Sequence, residues 1–256
     1  MNRRATLRVL GAAIGSLAGC TASNVRPPVA NQPAPGNPDP IVGAGFPTTV
    51  CNAPANPDIG SKAIVTPAAG PNWDGLTVDE RYRLRGEGEA KLTDETFVIG
   101  VERNGTARAY PVSILWWHQI VNDTLDGDPL IVTYCPLCQT GMVARRIVSG
   151  NPTTFRNTGQ FWRPPDLYVG ASLQEGRAFA ASPYVDDAEV IFDGNLVLMD
   201  DLTGSYWSQV LARGICGRRA GTRLWTLTPD VMTWGEWRTA NTNTDVLLPP
   251  PLSRTG

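Results

Sequence analysis

The chain has 256 residues, of which 42% are hydrophobic and 18% charged. It is long enough to bury a sizeable core and too apolar for wholesale disorder. A formal charge of −2 excludes the basic surface of a nucleic-acid binder. With 26 glycines and 22 prolines the sequence favours many turns and short elements. The expected fold is therefore α+β and predominantly β, a single mixed or antiparallel-sheet domain with a few short helices.

Arg3, Arg4 and Arg8 open the chain with positive charge, and Val9 to Ala18 is an apolar run too short to span a bilayer. The run ends in Leu17-Ala18-Gly19-Cys20, which resembles a bacterial lipobox. That resemblance implies a signal peptide over residues 1–19 and a diacylglycerol on the Cys20 thiol. Acyl chains contribute about 0.8 kcal/mol per buried methylene, so the membrane is the expected partner through Cys20. The expected location is the bacterial cell envelope, facing the periplasm or the exterior. Arg3-Arg4-Ala5-Thr6-Leu7 also resembles a twin-arginine export signal, with Thr6 where Phe is usual.

Residues 20–57 read as a tether. Pro27, Pro28, Pro33, Pro35, Pro38 and Pro40 lack amide donors, and their Asn, Ala and Gly neighbours offer little to bury. Residues 58–256 are the expected globular domain. Phe97–Val101 and Thr106–Tyr110 flank Asn104-Gly105, a hairpin signal because both residues tolerate positive φ. Pro111 suits the first turn of a helix. Ile114, Trp117, His118 and Val121 recur at helical spacing, which predicts an inward-facing His118.

Asp126-Gly127 predicts the next turn, returning the chain along Leu130–Tyr134 into Cys135-Pro136-Leu137-Cys138. Gly141 and the alternation from Met142 to Val148 predict another strand. A long mixed segment follows, ending near the acidic run Asp186-Asp187-Ala188-Glu189. That run lacks the spaced oxygen ligands of a calcium loop and reads as solvated surface. Leu196–Met199, Tyr206-Trp207 and Thr222–Leu227 read as strands, with a turn at Asp201–Gly204. Thr233-Trp-Gly-Glu236 predicts a capping box opening a helix that buries Trp234 and Trp237.

Several of these stretches occur in a familiar order: Ala109-Tyr110-Pro111, His118 with Val121-Asn122-Asp123, Val132–Cys138, Phe155–Gly159, Thr203–Gln209 and Thr233–Trp237. Together they resemble the prokaryotic family called domain of unknown function 3179, over residues 96–248. The resemblance implies an exported single domain and no particular activity. Residues 160–193 read as an insertion in it, and Leu202 stands where the family often has a basic residue.

Cys51, Cys135, Cys138 and Cys216 would reach an oxidising compartment, where thiols tend to pair. A Cys51–Cys216 bridge would close a long loop, worth roughly 5 kcal/mol, whereas a Cys135–Cys138 bridge contributes roughly 2. The close pair therefore invites a chemical role. Two thiolates and the only imidazole, His118, suit copper or zinc with an open position, and Met142 could add a thioether. A thiol–disulfide oxidoreductase is the alternative, although the residues after Cys138 do not predict the helix that such a pair usually opens. A third reading is a non-catalytic domain that binds a ligand or partner. A hydrolase is the fourth, with Cys135 as nucleophile and His118 as base, oriented by Asn122 or Asp123. Covalent c-type haem does not fit, because Gln139 stands where the motif needs histidine.

The leader makes a direct prediction. Replacing Cys20 by Ala should move the protein from the membrane fraction to the soluble fraction and abolish incorporation of labelled palmitate. Retention of label would place the acyl chain elsewhere.

Overall fold

The computed structural model describes residues 48–55, 61–83, 90–162 and 194–256. The lipobox with Cys20, most of the proline-rich segment and the acidic run at 186–189 lie outside them. Helix α1 (Thr48–Asn52) comes first, followed by strands β1 (Ile64–Thr66) and β2 (Ala69–Gly70). The hairpin of β3 (Phe97–Arg103) and β4 (Thr106–Pro111) leads into helix α2 (Val112–His118). A second hairpin, β5 (Ile120–Leu125) and β6 (Asp128–Cys135), continues into β7 (Thr140–Arg145).

The short pair β8 (Ile147–Val148) and β9 (Asn151–Pro152) precedes β10 (Phe155–Trp162). Next come β11 (Asn195–Asp200), β12 (Tyr206–Ser208), β13 (Arg213–Cys216) and β14 (Thr226–Leu227). Strand β15 (Asp230–Thr233), helix α3 (Trp234–Ala240), β16 (Asp245–Leu247) and β17 (Arg254–Thr255) complete the chain. The fold is predominantly β with a few short helices, and its strands are shared among three larger sheets.

The sheet in the middle has the order β14-β7-β6-β5-β1-β17, antiparallel except where β1 runs parallel to β5. One of its faces packs against the sheet β15-β3-β4-β16-β2 and the other against β10-β11-β12-β13. Strand β6 shows the consequence. Leu130 and Val132 enter the first core, beside Val98, Tyr110 and Trp237. Ile131 and Cys135 enter the second, beside Phe155, Leu198 and Trp207. A strand covered on both faces has no solvent side to mark with polar residues, which is why it reads as continuous apolar sequence. Trp162, Val197 and Ile215 form a smaller cluster on the far side of the outer four-stranded sheet.

Turn chemistry agrees with the sequence at both hairpins. Asn104 and Gly105 have φ of 50° and 83°, and Asp126 and Gly127 have 47° and 75°. Both pairs have the two positive φ values of a tight two-residue turn that follows the strand twist. The capping box is present: the Thr233 hydroxyl accepts from the Glu236 amide, and the Glu236 carboxylate accepts from the Thr233 amide. Trp234 and Trp237 are buried beneath the helix that it opens.

Other expectations need correction. Helix α2 stops at His118 because Gln119 takes φ of 55°, so Val121 lies in β5 rather than on a third helical turn. Trp117 is 43% exposed rather than inward-facing. Of Thr222–Leu227 only the last two residues form a strand. Residues 48–55, which composition places in the tether, include helix α1, and the Ala53 carbonyl accepts from Gln160 and Tyr206.

Gly100 on β3 is a close approach. A Cβ there would overlap the six-membered ring of Trp237. Gly100→Ala is therefore expected to destabilise the protein by about 1–3 kcal/mol, read as a lower urea midpoint at unchanged slope. A neutral effect would show that the indole can shift freely.

Candidate functional site around the Cys-Pro-Leu-Cys turn

Strands β6 and β7 pair through Cys135 and Thr140, so Pro136, Leu137, Cys138 and Gln139 form the loop between them. Gln139 adopts φ of 48°, which lets the loop reverse. Cys135 and Cys138 are disulfide-linked, with Cα atoms 5.4 Å apart. Cys135 is fully buried in the second core, whereas Leu137 and Cys138 are half-buried against its edge. The Cys138 sulfur lies 2.8 Å from the Gly194 carbonyl oxygen.

A polar floor underlies this loop. Gln209, fully buried, donates from Nε2 to the Thr133 hydroxyl at 3.1 Å and to the Thr140 carbonyl at 2.9 Å. Its Oε1 accepts from the Thr140 hydroxyl at 3.1 Å and from Asn195 Nδ2 at 2.7 Å. Asn195 also donates to the Thr140 hydroxyl, and its Oδ1 accepts from the Val210 amide. Every polar atom of the Gln209 side chain is thus engaged, as a buried amide requires. The contact ties the turn after Cys-Pro-Leu-Cys to the end of the Thr203–Gln209 stretch.

Immediately beyond this floor is an open cleft of about 570 Å³. Thr140, Gly141 and Met142 line one side, Val210, Leu211 and Ala212 another, and Arg223, Leu224 and Thr226 the third. The first side is the start of β7, and Thr226 belongs to the neighbouring edge strand β14. A volume of this order holds a small organic ligand. Nothing in the sequence pattern signalled the cleft, because its walls come from three separated segments.

His118 sits elsewhere. Its Nδ1 is 2.9 Å from the Lys62 carbonyl, and its Nε2 is 2.7 Å from the Tyr82 hydroxyl. A carbonyl can only accept, so Nδ1 carries the proton and Nε2 accepts from Tyr82. Tyr82 packs in the first core and Cys135 in the second. Among the described residues no three His, Cys, Asp or Glu side chains converge as a metal site would require. The expected centre of His118, Cys135, Cys138 and Met142 therefore does not form: the imidazole is committed on both nitrogens and the sulfurs are bonded to each other. Met142 is buried in the second core and contributes to the cleft wall.

The hydrolase arrangement fails for the same reason. The Asn122 side chain bonds the backbones of Ile64 and Phe155, and Asp123 accepts from Arg108 and Tyr110. Neither residue is bonded to His118. An oxidoreductase role is also poorly served. Attack on Cys138, the half-buried partner, would expel a Cys135 thiolate into an apolar core, where an unpaired charge costs several kcal/mol. Cys135 itself offers no exposed surface to an incoming thiolate. The remaining pair, Cys51 and Cys216, forms a disulfide that joins α1 to the end of β13.

A family model described as Protein of unknown function (DUF3179) matches residues 79–165 and 188–255. These ranges make up more than half of the chain. The chain belongs to this family. The DUF3179 match starts ahead of the motifs that first suggest it and takes in Tyr82, the partner of His118. It also covers all of the cleft lining and leaves out residues 166–187. No curated protein and no solved structure matches the chain.

Burial pushes the His118 pKa below its ordinary 6.5, with the nearby Arg81 charge acting in the same direction and the Lys62 carbonyl bond opposing. Burial also pushes the Tyr82 hydroxyl up to about 12. An unfolded chain takes up the imidazole proton near its ordinary pKa, while the folded ring refuses it. Stability from the neutral ring is thus complete above that pH and declines as pH falls below it, until the folded pKa is reached. As pH falls below about 6.5 the wild type should lose stability that a His118→Gln variant does not lose. Equal slopes in urea titrations across that range would contradict this assignment.

Proposed function

We propose that this DUF3179-family chain is a lipid-anchored, extracytoplasmic binding module that takes a small molecule into the cleft beside the Cys-Pro-Leu-Cys turn. One observation carries the reading: two stretches distant in sequence, Val132–Cys138 and Thr203–Gln209, meet through Gln209 and continue directly into two walls of the same cleft. The polar floor holds those walls in register around an open volume of the size that takes a small molecule.

The leader ending at Cys20 supports the anchored, exported location. Two cysteine pairs at disulfide distance suit an oxidising compartment. Copper and zinc have no part in this reading, because His118 is bonded away from the sulfurs. The Cys135–Cys138 bridge acts as a clamp on the loop from which β7 enters the cleft.

The test uses full-length protein carrying Cys20→Ala and the neutral fluorophore N-phenyl-1-naphthylamine. Saturable fluorescence enhancement at one site per chain is expected. Thr226→Trp, on an exposed edge strand, fills the cleft and should weaken binding roughly tenfold or more while leaving the melting temperature within about 2 °C. Absent saturation, or equal binding by the tryptophan variant, would reject the cleft as the site.

A further inference from the structure

The polarity of the cleft is graded. Met142, Ala212 and Leu224 are buried, and they give the inner wall an aliphatic and thioether surface. The hydrogen-bond donors of that wall are already spent. The Ala212 amide donates to the Gln209 carbonyl and the Leu224 amide to the Ala212 carbonyl. The Val210 amide donates to Asn195, and the Thr140 hydroxyl to Gln209. A polar ligand group placed there would find few partners.

The exposed lining differs. Arg223 and Thr226 are solvent-exposed, and Arg223 is the only charged residue of the lining. No acidic residue lines the cleft, and among the described residues no carboxylate pairs with Arg223. Its backbone bridges to Arg213, which fixes the strand position from which the guanidinium extends. An apolar interior with an unpaired cation beside a hydroxyl at the rim matches one kind of molecule: an apolar body with a single anionic head.

Resting on the binding-module reading, we infer that the cleft takes an amphipathic organic carboxylate, its hydrocarbon portion against Met142, Ala212 and Leu224 and its head group on Arg223. A guanidinium presents paired N–H donors that match the two oxygens of a carboxylate, and the aliphatic wall excludes water from the tail. A neutral ligand would make no ionic contact with the guanidinium, which would stay hydrated. A cationic one would meet repulsion at the rim. The inference identifies the chemical class; chain length follows from the volume, which suits a medium-length alkyl group.

The experiment displaces N-phenyl-1-naphthylamine from full-length Cys20→Ala protein with decanoate, decanol or decylamine. Decanoate should compete roughly five- to tenfold better than decanol, and decylamine should be the weakest. Arg223→Gln should bring the decanoate-to-decanol affinity ratio, measured on the same variant, down to about one. Equal competition by decanoate and decanol, or a decanoate advantage that survives Arg223→Gln, overturns the inference and leaves the binding module standing. Failure of the fluorophore itself to bind rejects the module, and the inference falls with it.

Discussion

The constraint on which the structure depends is the burial of β6 on both faces. A strand between two sheets must send alternate side chains into different cores. Leu130 and Val132 therefore belong to one hydrophobic cluster, Ile131 and Cys135 to another. This alternation determines the chemistry available to the chain. Cys135 is fastened to the core shared with β10–β12, while His118 ends a helix whose Ile114 and Leu115 belong to the opposite core. His118 and Cys135, close in sequence, are thus committed to different partners. Period-two geometry turns Cys135 towards the second core, while the imidazole at the helix end is held by Tyr82 and Lys62.

The second organising element is the amide of Gln209. A buried amide that loses its partners costs about 1–3 kcal/mol for each group left unsatisfied. Gln209 meets this requirement with four contacts from Thr133, Thr140 and Asn195. The same atoms couple the central sheet to the outer four-stranded sheet at the point where the cleft begins. Asn122 plays a comparable part nearer the middle, where its side chain accepts from the Phe155 amide and donates to the Phe155 and Ile64 carbonyls. Both residues use an amide side chain as a piece of strand edge. The sheets are thereby joined by directional bonds as well as by apolar packing, which limits sliding between them.

Features encoded locally were legible. Asn104-Gly105 and Asp126-Gly127 specify their turns through backbone preference alone, and Thr233 with Glu236 specifies a helix start through two reciprocal hydrogen bonds. The fold class followed from turn density. The failures share a cause. Helical spacing at Ile114, Trp117, His118 and Val121 continued beyond the helix, because β5 begins with buried residues that mimic the pattern. A left-handed Gln119 carries no strong sequence mark, since glycine is the usual signal for that conformation. The candidate site misled for a related reason. Closeness along the chain does not join His118 to Cys135, because the imidazole is bonded to Tyr82 and Lys62 and the Cys135 sulfur to Cys138. The cleft was invisible because Gln209, Arg223 and Thr140 come together only through tertiary pairing.

What then is the role of the Cys-Pro-Leu-Cys turn? Its bridge closes so short a loop that the chain-entropy gain is only about 2 kcal/mol, too small to explain the pair by global stability alone. Its local effect is larger relative to what it holds. Pro136 has no amide donor, so the loop lacks one possible backbone bond. A cross-link at its base limits the directions in which Thr140 can leave the turn. Thr140 then supplies one hydroxyl and one carbonyl to Gln209 and the first wall of the cleft. A small angular freedom at residue 138 would otherwise be passed directly into that wall. On the proposed binding reading the disulfide is preorganisation: a loop already held in place would cost less to order when a ligand enters, a gain in affinity that a marginal gain in folding stability would not reveal.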